Sequence, residues 1–192
     1  GEGAISIDTR KAAVAEAAVA AGADLVNDVA GLTFDPALAP FCAARGVPVC
    51  VMHAQGDPAT MQRDPRYDDV LLDVYDYLVE RIAALEAQGI PRANIIADPG
   101  IGFGKTLEHN LALLARLSLF HSLGVPILLG ASRKRFIGTI GGGAAGEDRA
   151  PGSIAVALAA LNHGVHVLRV HDVAQTIQSI LLYRSALAGK EI

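Results

Sequence analysis

The chain has 192 residues, 52% of them hydrophobic and 19% charged, with 5% aromatic, no Trp and a formal net charge of −4. This is enough apolar surface for one sizeable core and the reverse of a disordered composition, while the acidic balance argues against a nucleic-acid partner bound through a broad positive field. Two cysteines, Cys42 and Cys50, are too few for a disulfide scaffold, which makes the cytoplasm the expected setting.

In chain order, one unit recurs: an Ala/Leu-rich helical stretch, a glycine, a short β-branched run and a polar residue. Residues 5–8 open as a strand, and residues 11–21 follow as a helix ended by Gly22. The next strand covers residues 23–28. After Gly46 a strand covers residues 47–53. Asp64-Pro65 then suits a helix start, with Leu71, Tyr75, Leu78, Ile82 and Leu85 on one face before Gly89. Residues 95–98 form the fourth strand, and a helix over 107–123 has Thr106 as its N-cap and Gly124 beyond its end. Residues 126–132 form the fifth strand, Gly141 to Gly146 a mobile loop, and residues 165–171, after Gly164, the sixth strand. Asp172 caps a last helix running through Tyr183 and beyond.

Such alternation predicts an α/β fold with a parallel sheet and right-handed crossovers, a single domain over residues 1–192. Parallel strands are covered on both faces, which accounts for a mean hydropathy of +0.37. The uncharged stretch 150–168 is broken by Pro151, Gly152, Asn162, His163 and Gly164, so no membrane span is expected. Gly1-Glu2-Gly3 lacks the basic start of a secretory leader. Asp8, Asn27, His53, Asp98, Ser132, Arg169 and His171 fall at C-terminal strand ends, which converge on one mouth in a (β/α)8 barrel and spread along a crevice in an open sheet. The barrel is the expected form. Six strands do not close an eight-strand barrel, so roughly the first two βα units are expected to lie before residue 5.

The run from Asp98 to Lys105 places a glycine at every second position after a carboxylate. It falls one residue short of the nucleotide P-loop spacing. Asp98 can accept two parallel donors, as an aminopyrimidinone ring offers, or can cap its own turn. Asn27 presents the donor and acceptor that a heterocycle edge needs, and an Asx turn toward Gly31 is the alternative for Asn27-Asp28. Asp8-Thr9 serves the same mouth or an N-cap. Ser132-Arg133-Lys134-Arg135 suits anion binding at a strand end, or a solvated cationic cluster. Arg169 and His171, at i and i+2, put two donors on one side for a di-anionic leaving group, unless Arg169 pairs with a neighbouring carboxylate. Met52-His53 reads equally as plain packing plus a satisfied histidine, a weak functional signal, and the remaining histidines lack metal-ligand spacing.

Together the segments Ser6-Ile7-Asp8-Thr9, Val26-Asn27-Asp28-Val29, Met52-His53-Ala54-Gln55-Gly56, Asp98 to Lys105, Ser132-Arg133-Lys134 and Arg169-Val170-His171-Asp172 resemble the dihydropteroate synthase family. The resemblance covers essentially the whole chain. It implies a (β/α)8 TIM barrel, and the condensation of 6-hydroxymethyl-7,8-dihydropterin diphosphate with p-aminobenzoate to 7,8-dihydropteroate and pyrophosphate in folate biosynthesis. It implies Mg2+ on the diphosphate, a homodimer packed through late helices, and sulfonamides as inhibitors. Residue by residue, Asp8, Asn27 and Asp98 resemble pterin-ring ligands, and Met52, Phe103 and Gly130 resemble pocket walls. Lys134 resembles the residue spanning pterin and aminobenzoate, with Ser132 near the aminobenzoate carboxylate, and Arg169 and His171 resemble the pyrophosphate site. The metal ligand and two loops completing the site are expected in the preceding units. Ala54 stands where many members carry Met. A pterin-binding methyltransferase barrel and a non-catalytic pterin-binding module are the competing readings.

Overall fold

A computed structural model describes residues 3–56, 64–143 and 145–191. Six parallel strands run in sequence order: β1 (Ser6–Asp8), β2 (Leu25–Asp28), β3 (Val49–Met52), β4 (Ile95–Asp98), β5 (Leu128–Leu129) and β6 (Val167–Leu168). The first four form one sheet and the last two another. A parallel bridge between Ala97 and Ile127 joins them, with the Ala97 amide donating to the Pro126 carbonyl at 2.9 Å. The α/β class and the parallel order match the reading of the sequence.

Most strands are shorter than their β-branched runs. Residues 126–132 contribute only Leu128–Leu129, because the chain turns after Gly130 and Arg133 adopts a left-handed backbone with φ of 58°. Residues 165–171 likewise contribute Val167–Leu168, residues 23–28 begin pairing at Leu25, and residues 47–53 pair from Val49 to Met52.

The helices are α1 (Ala12–Ala20), α2 (Leu38–Arg45), α3 (Val70–Ala87), α4 (Leu107–Leu114), α5 (Arg135–Gly141), α6 (Ala150–Asn162) and α7 (Val173–Ala188). Gly22, Gly46, Gly89, Gly124 and Gly164 all have positive φ, as expected of residues just past a helical stretch. α3 starts at Asp69, whose carboxylate accepts from the Leu71 and Leu72 amides, and not at Asp64-Pro65. Residue Asp64 pairs with exposed Arg66, and the Gln55 side chain holds both the amide and the carbonyl of Arg66. Its buried seam is Val70, Val74, Leu78, Ile82 and Leu85.

The expected helix over 107–123 is two helices. α4 is capped by a reciprocal Thr106–His109 box, and a 3₁₀ segment, Leu117–Leu123, follows. In a 3₁₀ helix every third residue shares a face. Leu117, Phe120 and Leu123 are accordingly the buried ones. Asp172 precedes α7 without capping it, because its carboxylate is engaged by Arg133. The described glycines of the 141–146 segment include Gly141, which ends α5. Strand residues Val26, Val49, Val51, Ile95 and Ala97 share one buried apolar cluster with helix residues such as Leu38, Val74, Leu78 and Leu113.

Candidate active site

Strand register assembles the mouth. Asp8 on β1 pairs with Asn27 on β2, which pairs with Cys50 on β3, and Met52 pairs with Asp98 on β4. Side chains alternate along a strand, so Asn27 and Asp28 face opposite ways. Asp28 is the residue that makes the Asx turn, accepting from the Ala30 and Leu32 amides at 2.8 and 2.9 Å. Asn27, on the other face, shares its register with Asp8 and Cys50. The α1 N-terminus is likewise served from elsewhere: Asp35 accepts from the Ala12 amide at 2.8 Å, and Thr9 accepts from Lys11. Asp8 is thereby released from the capping role.

Asp98 is the buried centre of this arc. Its carboxylate accepts from the Gly100 amide at 2.7 Å, as its own turn requires, and still faces three cations. Burial pushes its pKa up to about 6, against the opposing pull of that hydrogen bond and of Lys105, Lys134 and Arg169. The turn-cap and ligand readings of Asp98 are therefore compatible. Gly130 lies opposite: a methyl built there would stand 3.6 Å from Asp98 Oδ2 and 4.0 Å from Arg169 Cβ. Cys50 is fully buried between the acids, and that burial raises its thiol well above the ordinary range.

Lys134 occupies the position before α5, with its Nζ 3.9 Å above the Phe103 ring centroid. Burial lowers its pKa, with Asp98 opposing. Gly102 makes room for its stem, since a Cβ there would meet Lys134 Cδ at 3.2 Å. Lys134 also lines a cavity of about 420 Å³ shared with Gly102, Lys105, Thr106, Arg135 and Phe136. Met52 is buried and Phe103 half-buried.

The β5 and β6 ends are stitched together. Arg133 donates from Nε to Asp172 at 3.1 Å, and its amide donates to Ser153 Oγ at 2.8 Å. Ser132 is buried, and its Oγ lies 2.9 Å from His171 Nδ1. Arg169 approaches Asp8 at 3.5 Å, both side chains being about half exposed.

Reading the sequence missed Lys105 and His53 as a pair. Lys105 is 4% exposed, its Nζ 2.9 Å from His53 Nδ1 and 3.1 Å from the Phe103 carbonyl. Burial brings Lys105 down to about 7 and His53 down to about 3. Asn110 was missed as well; its Oδ1 accepts from the Gly102 amide at 2.7 Å and its Nδ2 donates to Thr106. A polar side chain on the inner face of a helix just after a capping residue was the available signal.

The sequence profile of the pterin binding enzyme family matches residues 2–171. Dihydropteroate synthase of Escherichia coli (strain K12) is 43% identical over 187 residues, which are 97% of this chain and 66% of that protein. The crystal structure of dihydropteroate synthase from Stenotrophomonas maltophilia with active site-bound imidazole superposes with a TM-score of 0.92 at 46% identity, covering 96% of this chain and 69% of that one. The Xanthomonas albilineans dihydropteroate synthase in complex with 7,8-dihydropteroate gives 0.89 at 44% identity, covering 96% and 65%. The chain thus spans 66% of the length of the E. coli protein.

Proposed function

The chain belongs to the pterin-binding enzyme family, and we propose that it carries the pterin pocket and the pyrophosphate site of a dihydropteroate synthase. The observation that carries this reading is the arc of Asp8, Asn27 and Asp98 with Lys134 and Arg169 around it. Its six strands are, in this reading, consecutive strands of a (β/α)8 barrel in one domain over residues 1–192.

Asp98 accepts the paired amino and ring N–H donors of the pterin, for which an ionised carboxylate is the stronger acceptor. Asn27 and Asp8 serve the rest of its polar edge, between the Met52, Phe103 and Gly130 walls. p-Aminobenzoate occupies the cavity beyond Lys134, and Ser132 lies at the base of that turn. The neutral amine of p-aminobenzoate attacks the pterin methylene carbon; the C–N bond forms, the C–O bond to the diphosphate breaks with its electron pair leaving on pyrophosphate, and the amine's proton passes to the departing pyrophosphate or to solvent. Negative charge grows on the departing pyrophosphate, where Arg169 and His171 donate to it. Fixed donors aimed at developing charge lower the barrier without reorganising. The buried Asp98 carboxylate steadies positive charge spreading into the pterin ring.

Among the described residues no group of three or more His, Cys, Asp or Glu side chains could hold a metal ion. Mg2+ asks for few protein ligands, and we propose that it is carried on the substrate's diphosphate oxygens. A homodimer is proposed through α7, where Val173, Ile177 and Leu181 are about half exposed along one face. Among the described residues no helix is long and apolar enough to cross a membrane; the cytoplasm is the location we propose.

The test is a pyrophosphate-release assay on the polypeptide carrying this chain, beside calorimetry with the dihydropterin diphosphate. Pyrophosphate release that requires p-aminobenzoate is the expected result. Methyl transfer without pyrophosphate would favour the methyltransferase barrel, and binding without product would make this a non-catalytic module.

A further inference from the structure

One buried hydroxyl at the mouth has a role that substrate contact does not explain. Ser132 is 7% exposed, and its Oγ meets His171 twice: it accepts from the His171 backbone amide at 3.2 Å and lies 2.9 Å from the ring Nδ1. The turn that carries it is tightly held. Arg133 adopts a left-handed backbone, its amide donates to Ser153 Oγ at 2.8 Å, and Ser153 Oγ donates to the Arg149 carbonyl at 2.7 Å. Arg149 Nη1 returns to the Arg133 carbonyl at 3.2 Å, and the Arg133 guanidinium grips Asp172, the residue after His171. The backbone on both sides of the Ser132–His171 contact is thus fixed before any ligand arrives.

A serine hydroxyl carries one proton and two lone pairs. With one lone pair taken by the His171 amide, its proton has Nδ1 as the acceptor within reach among the described residues. An imidazole that accepts at Nδ1 carries its own proton on Nε2.

We propose that Ser132 is a positioning residue for His171, fixing the ring as the Nε2–H tautomer so that Nε2–H is its donor to the departing pyrophosphate. The proposal rests on the functional reading above for the identity of the anion, but the tautomer itself does not. A ring held in one tautomer presents its donor to the leaving group without reorganising. It also links the two ends of the reaction: the residue beginning the turn that presents Lys134 sets the ring at the leaving-group end.

Ring 15N NMR on the labelled chain at neutral pH, with inorganic pyrophosphate as the probe, tests it. The wild type is expected to show His171 as the Nε2–H tautomer. Ser132→Ala is expected to give a tautomer mixture and pyrophosphate binding about three- to tenfold weaker, and Ser132→Thr, which keeps the hydroxyl, to restore both. An Nδ1–H ring in the wild type would overturn the proposal without any variant being needed. So would a Ser132→Ala protein with an unchanged tautomer and unchanged pyrophosphate affinity. A wild-type Nε2–H ring with no pyrophosphate binding would support the tautomer assignment and overturn the functional reading instead.

Discussion

Lys105 Nζ sits 2.9 Å from His53 Nδ1, and the two buried side chains tie the loop after β3 to the loop after β4. His53 stays neutral, because burial and then the neighbouring lysine drive its pKa down to about 3, and it can therefore accept from Lys105. Lys105 itself titrates near 7 in the fold against a usual 10.5, chiefly through burial. Between those values the unfolded chain holds a proton that the folded chain has released, so stability rises with pH across that window. The destabilising cost is fully present below pH 7 and is relieved as pH climbs toward the unfolded value. Urea unfolding at pH 7 and pH 9 should show the wild type gaining stability, with a slope of up to about 1.4 kcal/mol per pH unit. Lys105→Met should lose that slope; parallel pH profiles for the two proteins would refute the assignment.

Asp98 runs in the other sense. Its folded pKa of about 6 lies above the usual 3.8, mainly because it is buried, so the empty folded site takes up a proton between those values and loses stability as pH rises through them. A pterin donating two hydrogen bonds prefers the carboxylate. Pterin affinity is expected to strengthen as pH rises through about 6 and to level off above 7. Asp98→Asn keeps the shape but exchanges an acceptor for a donor, and should cost about 10- to 100-fold in affinity with loss of the pH dependence. Calorimetric titrations from pH 5 to 8 decide this. Wild-type affinity that ignores pH would count against Asp98 as the ring ligand.

Arg169 lies 3.5 Å from Asp8, with both side chains about half exposed, and such a pair contributes little to stability. Arg169→Ala is expected to change stability by less than about 1 kcal/mol. The same substitution should weaken binding of inorganic pyrophosphate about tenfold or more, with the loss shrinking as salt is raised. Thermal unfolding and calorimetry at two ionic strengths would check both halves. The opposite pattern, large destabilisation with anion binding intact, would make Arg169 a structural partner of Asp8.

How much of this was legible in the sequence depended on range. Strand–helix alternation, the glycines just past helices and the Thr106 cap are local signals, and they survived. The break after Leu114 was not legible, because Leu117, Phe120 and Leu123 satisfy a helix-like pattern as well as a 3₁₀ one. Asp69 was passed over for Asp64-Pro65 because the hold that Gln55 exerts on Arg66 crosses from another loop. The same reason explains the site: which of Asn27 and Asp28 faces the mouth follows from strand pairing, and the Lys105–His53 contact spans loops far apart in the chain. Residue types were readable; partners required the fold.

Two glycines of the mouth separate folding from binding. At Gly100, with φ of +72°, an added Cβ would stand 1.8 Å from the His53 carbonyl oxygen, and that carbonyl belongs to backbone already fixed by the His53 amide on Asp98. Neither partner can withdraw cheaply, so Gly100→Ala is expected to destabilise by about 3 kcal/mol or more. At Gly130 the added methyl would meet Asp98 and Arg169 only at ordinary contact distances of 3.6 and 4.0 Å, and its φ is not positive. Gly130→Ala should therefore fold with a stability within about 1 kcal/mol of the wild type. The methyl would nevertheless stand beside the carboxylate that receives the ring, and pterin affinity is expected to fall by at least about tenfold, in line with the cost of overpacking a close-fitting site. Denaturant midpoints and pterin titrations on both variants provide the comparison. A Gly130→Ala protein that binds pterin as the wild type does would show that the ring does not lie between Asp98 and Gly130.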